Sequence, residues 1–311
     1  MNATNCSTNL VSLAMTSGTS EYLSLQAFLL TLTLAALPLN WFEGYLESRT
    51  MTREHLKSLQ KLQRWMIYLY CLCFIKLEGS HFLRHLFYSG CNLLVQAGSC
   101  KAATYLMSFA SYYLHLSHLA IVVSLYPNNF ISLWRNFECN LHFTVSYIVM
   151  FATLLTLRTF STPETLLPTC AAFETEMSRH RTLMVSLYIN IFTMVVFFAL
   201  HFWQCWRLRD PVIHLQMTLH YSHSRMKEQM DMFFPNLFVF CGLLISHQVF
   251  TRKVMGEKGD FLERLHFVIF IPVYFCFSPI VSAIEYAFLN RRQGLRPLFL
   301  DMFAPQTSNS V

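Results

Sequence analysis

A long uncharged segment in the first half of the chain constrains the fold more than any other feature. Residues 100–126 read CKAATYLMSFASYYLHLSHLAIVVSLY, and no charged side chain follows Lys101 within this segment. The hydrocarbon core of a bilayer is crossed by about 20 residues of helix. The segment therefore predicts a membrane-spanning helix.

Polar side chains form a stripe along this predicted helix. At 100° per residue, Thr104, Ser108, Ser111, His115 and His118 fall within an arc of about 80°. A polar stripe that runs the depth of a membrane cannot face lipid, because lipid offers no hydrogen-bond partner. We expect this helix to lie at the centre of a helix bundle.

The rest of the chain repeats the apolar pattern. Hydrophobic residues make up 54% of the 311 residues, and charged residues only 13%. The hydrophobic share exceeds what one soluble core requires. Seven apolar runs cover residues 23–42, 65–87, 102–123, 141–157, 183–206, 232–250 and 265–289. The predicted fold is all-α, a single seven-transmembrane helix bundle over residues 23–289.

The two ends of the chain predict its orientation. Residues 1–22 form a tail with glycosylation sequons at Asn2 and Asn5, which are modified only in the secretory lumen. An outside N-terminus also places most Lys and Arg residues inside, as in most membrane proteins. Residues 290–311 then form a cytoplasmic segment and tail, whose arginines and large apolar residues would contact membrane lipid at the interface. This predicts a multi-pass protein of the plasma membrane.

Several functional classes are excluded by pattern. The net charge of +6 is scattered between apolar runs, so no nucleic-acid partner is expected. Cys71 and Cys73 lie within an apolar run and no zinc-type spacing occurs, so no metal site is expected. No nucleophile elbow, HExxH sequence or phosphate loop is present. We therefore expect no enzymatic activity and no cofactor.

A few residues lie at defined positions relative to the apolar runs. Cys100 stands at the outer end of the third run, and Cys170 lies between the fourth and fifth runs. Ser278 and Pro279 precede IVSAIEYAFLNRR in the seventh run, and Asn40 lies near the inner end of the first. In these residues and in layout the chain resembles the rhodopsin-like G-protein-coupled receptors. The resemblance implies a Cys100 to Cys170 disulfide, an extracellular ligand, and signal transduction through a G protein.

The chain also departs from that family. The Asp-Arg-Tyr triplet of the family falls on Ser124, Leu125 and Tyr126, so the arginine that reaches the G protein is missing. The resemblance therefore leaves G-protein coupling in question. Met107 stands where amine-binding members carry an aspartate, which argues against a biogenic amine as the ligand.

Two groups of residues are candidates for a ligand pocket. In the third run they are Thr104, Met107, Ser108 and Ser111, which face inward on the helical wheel. The alternative is that small hydroxyl residues simply let helices approach closely.

In the second run the candidates are Glu78 and His81. They lie within about 60° of His85, with Lys76 nearly opposite, and the third-run histidines are expected partners. A structural hydrogen-bond network and a proton relay remain open for these residues.

The seventh run supplies candidates for a conformational switch. Ser278, Ser282 and Glu285 form a stripe, and Pro279 frees a backbone carbonyl that can act as a hinge. Interhelical packing is the alternative for these residues.

On the predicted outer side, Cys6 and Cys91 are candidates for a second disulfide.

Three functions follow from these patterns. The first is a receptor that binds an extracellular ligand and changes helix packing. The second is a receptor-like protein without G-protein activation, acting by ligand capture or by binding another membrane protein. The third is a multi-pass transporter that uses Glu78 and the intramembrane histidines.

Overall fold

The computed structural model describes four main stretches of the chain. These are residues 20–50, 54–125, 141–157 and 166–167, together with residues 11, 185, 188–189, 191–196, 198–200, 202, 276, 279–280 and 283–284. Almost all of these residues are helical. The predicted all-α class is confirmed for this part of the chain.

Helices α1 (Ser20–Thr50) and α2 (Glu54–Phe87) are both longer than a bilayer requires. They have 31 and 34 residues, or about 46 and 51 Å at 1.5 Å per residue, against a hydrocarbon core of about 30 Å. Within them, Leu23–Leu46 and Lys57–Phe87 are long and apolar enough to cross a membrane by length and composition.

Helix α2 begins before the second apolar run does. The apolar run begins at residue 65, but the helix begins at Glu54. The intervening residues are mostly Leu, Lys, Gln and Arg, which favour helix, and most of the segment is polar or charged. Hydropathy marks where a helix can meet lipid, whereas propensity decides where the helix itself begins.

A short connection joins α2 to the next long helix. It contains a 3₁₀ turn (Gly90–Leu93) and strand β1 (Val95–Gln96), and Gly90 has φ 62°, a left-handed conformation that glycine adopts without strain. Helix α3 (Ala97–Leu125) follows with 29 residues, and α4 (Leu141–Leu157) matches the fourth apolar run. Strand β2 (Leu166–Leu167) pairs antiparallel with β1, with Val95 opposite Leu167.

The described helices pack in the order α1, α2, α3 and α4. One core cluster joins Leu29 of α1, Phe74 of α2 and Leu114 of α3. A second joins Tyr113 of α3 to Ile148 and Ala152 of α4. Helix α3 thus has neighbours on both sides, as the polar stripe predicts.

Two short pieces of the seventh apolar run lie against α1. The Cys276 thiol donates a hydrogen bond to the carbonyl oxygen of Leu32 at 3.2 Å, and Ala283 packs against Phe42 and Leu46. Contacts therefore progress along both segments in the same direction. This piece of chain runs parallel to α1.

Candidate functional site

A chain of hydrogen bonds links α1 to α2 near the N-terminus of α1. The Gln26 amide nitrogen lies 2.6 Å from Glu78 Oε2 and 2.9 Å from His81 Nδ1, and Gln26 Oε1 lies 3.1 Å from the same Nδ1. On the far side of the ring, His81 Nε2 lies 3.1 Å from His85 Nε2. We call these four residues the Gln26 cluster.

The helical repeat explains why α2 contributes three members. Glu78, His81 and His85 are spaced three and four residues apart, so they lie on one face of the helix. That face meets Gln26, which is only 2% exposed, and His81 is 5% exposed. Burial at this level is tolerated because each polar group finds a partner in the cluster.

Proton positions in the cluster are constrained by chemistry. Two imidazole nitrogens at hydrogen-bond distance share one proton, because two N–H groups cannot face each other. If His81 donates from Nε2, its Nδ1 accepts from the Gln26 amide nitrogen. If His85 donates instead, His81 Nδ1–H donates to Gln26 Oε1. The Gln26 amide presents an atom suited to either tautomer.

A second polar cluster lies at the opposite end of the α1 and α2 pair. Arg64 Nη1 donates to Glu43 Oε2 at 3.2 Å and to the backbone oxygen of Asn40 at 2.9 Å. The Arg64 and Glu43 side chains are 12% and 8% exposed. Gly44 lies directly beside them, since a Cβ there would stand 3.0 Å from Arg64 Cδ and Nε. We call this group the Arg64 cluster.

Helices α2 and α3 are also joined by a polar contact. Gln63 donates from its amide nitrogen to Ser117 Oγ at 2.7 Å, and Ser117 donates to the Leu114 carbonyl oxygen at 2.9 Å. One turn away, Gln60 is 3% exposed and its amide nitrogen and oxygen have no hydrogen-bond partner among the described residues.

The polar stripe of α3 faces the protein, as predicted. Thr104, Ser108, His115 and His118 are each at most 8% exposed, and Ser111 is partly buried. Thr104 donates to the carbonyl oxygen of Cys100 at 2.9 Å, within its own helix. Small hydroxyl residues at this surface let α3 approach its neighbours closely.

Met107 lies between two core clusters. It packs against the cluster around Leu77 and Cys100 and also against the one that contains Leu29 and Leu114. Its side chain fills space between α1, α2 and α3.

The α3 histidines and the Gln26 cluster lie at different depths. Ser117, beside His118, bonds Gln63, which is 18 residues before His81 on α2. At 1.5 Å per residue this is about 27 Å along the helix axis. The expected partnership between His81 and the α3 histidines is therefore not supported. Gln26, on α1, takes that place.

Lys76 is exposed on α2, away from the Gln26 cluster, as its position on the helical wheel predicts.

Among the described cysteines, Cys71, Cys73 and Cys276 carry free thiols, whereas Cys91 and Cys100 are disulfide-bonded. Cys6 and Cys170 lie outside the described residues. The predicted pairings with them stay predictions.

The remaining candidate residues are described only in part. Ser124 and Leu125 end helix α3, and Pro279 is buried in a helical piece of chain. Tyr126, Ser278, Ser282, Glu285 and the sequon residues Asn2 and Asn5 lie outside the described residues, as does the segment from residue 290 that is predicted to be interfacial. Their predicted roles stay predictions.

Sequence reasoning missed Gln26, Glu43, Gln63 and Ser117. Gln26 gave a signal, since it is a polar residue inside an apolar run, but its partners are 52 and 55 residues away in sequence. Helical periodicity identifies a face and cannot identify the helix that the face meets.

Within the described part of the chain, no group of three or more His, Cys, Asp or Glu residues is arranged to hold a metal ion. The geometry instead offers polar clusters that cross between helices. Comparison of the whole chain with protein-family models and with curated proteins finds no match.

Proposed function

We propose that the chain is a seven-helix receptor of the plasma membrane, similar in layout to rhodopsin-like receptors, which binds an extracellular ligand and changes helix packing. The observation that carries this proposal is the Gln26 cluster. Carboxylate, amide and imidazole groups are held together between α1 and α2, near the helix ends that the predicted orientation places outside. Polar groups are costly at such a site and often have a functional role there.

The direction of the seventh run supports the seven-span layout. The described residues near 276–284 run parallel to α1 and contact it. An odd number of spans requires the first and last to run in the same direction. A ring of helices in which the last span packs against the first satisfies this requirement.

The short β ladder supports a constrained outer surface. Leu167 pairs with Val95, and Cys170 follows Leu167 by three residues, a reach of about 10 Å. Cys100 follows Val95 by five residues and is disulfide-bonded. Cys170 is thus within reach of the end of α3 that holds Cys100.

The residue at position 125 bears on whether the proposed receptor activates a G protein. In the family resembled, an arginine at this place contacts the G protein, and here a leucine ends helix α3. We expect weak coupling in the natural chain, or function by ligand capture or by pairing with another membrane protein. No enzymatic activity is proposed.

A cell assay tests the proposal without a known ligand. Basal activation of a panel of G proteins is measured for the natural chain, Leu125→Arg, and Ser124→Arg as a matched control at equal surface expression. The receptor proposal expects higher activation for Leu125→Arg alone. Equal activation for all three rejects a dormant coupling site and leaves the capture function.

A proton-conducting transporter is the second candidate, favoured by the continuous Gln26, His81 and His85 hydrogen-bond chain. In vesicles, this function predicts a pH-driven flux that Glu78→Gln abolishes. Such a flux would reject the receptor proposal. The absence of flux for the natural chain would reject the transporter.

A further inference from the structure

His81 and His85 bring the same ring nitrogen close together. Their Nε2 atoms are 3.1 Å apart, and the ring centroids are 4.4 Å apart with a 55° tilt between the planes. The residues are four apart on α2, so the backbone holds both rings on one face of a rigid helix. The α2 helix ends at Phe87, two residues after His85.

This spacing matches the separation between two imidazole ligands of one metal ion. Two nitrogens at about 2.0 to 2.1 Å from a tetrahedral zinc ion stand about 3.3 Å apart, and adjacent ligands in a tetragonal copper site stand slightly closer. The observed 3.1 Å lies between these values. Neither ring has to leave its helix face to bind.

The other ring nitrogen of His81 lies beside an oxygen that can support it as a metal ligand. Ligating imidazoles donate their second N–H to a carbonyl or carboxylate oxygen, which fixes the tautomer. The Gln26 amide faces His81 Nδ1 with both its nitrogen, at 2.9 Å, and its oxygen, at 3.1 Å, and Glu78 holds the same amide at 2.6 Å. The Gln26 amide is therefore positioned by a carboxylate and presents an acceptor to the ring.

The proton balance also closes. In the hydrogen-bonded pair, one neutral imidazole carries its proton on Nε2, and that proton faces the other ring. A metal ion needs both Nε2 lone pairs. The donor ring therefore changes its tautomer, losing the proton on Nε2 and gaining one on Nδ1. In the case of His81, the new Nδ1–H donates a hydrogen bond to Gln26 Oε1. Two neutral rings carry two protons before and after binding.

We propose that His81 and His85 form a binding site for a divalent transition-metal ion, Zn²⁺ or Cu²⁺, at the end of α2 that the predicted topology places outside, with water completing the coordination. Imidazole ligands favour these ions over Mg²⁺ and Ca²⁺, which prefer oxygen. The site has two protein ligands and does not depend on the receptor proposal.

Metal titration of the purified full-length protein tests the site. Zn²⁺ is expected to raise the unfolding temperature and to bind saturably by calorimetry, whereas Mg²⁺ does neither. Gln26→Leu is expected to weaken Zn²⁺ binding by about 10- to 100-fold, because it removes the support of His81. His85→Gln removes a ligand and is expected to weaken binding further.

The matched control is His115→Gln on α3, which should leave binding unchanged. Each variant is accepted only if its metal-free unfolding temperature is close to that of the natural chain. Binding that survives His81→Gln and His85→Gln, or that is absent in the natural chain, overturns the proposal.

A spectroscopic readout covers variants that fail to fold. The Cu²⁺ complex of the natural chain should show hyperfine coupling to two imidazole nitrogens by electron paramagnetic resonance. A spectrum without this coupling also overturns the proposal.

Discussion

At the scale of single residues, the Arg64 cluster shows how a glycine can be required by a neighbouring side chain. A Cβ on Gly44 would stand 3.0 Å from Arg64 Cδ and Nε, tighter than ordinary packing. On the same helix pair, a Cβ on Gly79 would meet Leu30 Cδ2 at 3.8 Å, an ordinary contact. The two glycines therefore differ in what they permit, although both lie within a helix.

Alanine at these two glycines should have different effects on stability. Gly79→Ala should be neutral or stabilise by up to about 1 kcal/mol, because alanine favours helix over glycine. Gly44→Ala should lower the free energy of unfolding, because it displaces Arg64 from Glu43 and Asn40. Thermal unfolding in detergent measures both. Equal unfolding temperatures for the two variants would show that Arg64 does not need the space at Gly44.

At the scale of helices and strands, periodicity predicted faces well. The α3 stripe faces the protein, and α4 has the bounds of the fourth apolar run. The start of α2 at Glu54 does not follow from hydropathy, because the first turns of the helix are mostly polar or charged. The contacts of Gln26 with α2 and of Glu43 with Arg64 were missed because pairing between helices depends on how faces meet in three dimensions.

The contact between α2 and α3 yields a test with a matched substitution. Ser117→Ala removes the acceptor for the buried Gln63 amide, and should cost about 1 kcal/mol, within the range known for hydrogen bonds between membrane helices. Ser80→Ala is the control, since Ser80 donates to the Leu77 carbonyl of its own helix. Thermal unfolding should separate the two variants. A larger loss for Ser80→Ala would contradict the assigned role of Ser117.

The β ladder makes the disulfide partner of Cys100 testable. Peptide mapping of the non-reduced protein should recover Cys100 joined to Cys170. This bond would tie the segment that follows α4 to the end of α3, and contribute about 2 to 4 kcal/mol. Cys100 joined to Cys91 instead would remove one support for the receptor resemblance, because that bond would not reach the segment that follows α4.

At the scale of the whole molecule, two observations support the proposed seven-span layout. The helices α1 and α2 can each span a membrane, and the pieces near Cys276 and Ala283 run parallel to α1. Parallel first and last spans place the two ends of the chain on opposite sides. In the proposed receptor the Gln26 cluster would lie toward the outside and the Arg64 cluster toward the inside, on the sides where a ligand and a signalling partner would bind.

The proposed seven-span layout places the N-terminus outside the cell and the C-terminus inside. Tag accessibility on intact cells tests this placement most directly. For this test one epitope is added before Met1 and another after Val311. The account predicts antibody labelling of the N-terminal tag on intact cells, with the C-terminal tag labelled only after permeabilisation. Labelling of both tags on intact cells, or of neither, would mean an even number of spans and would contradict the seven-helix receptor.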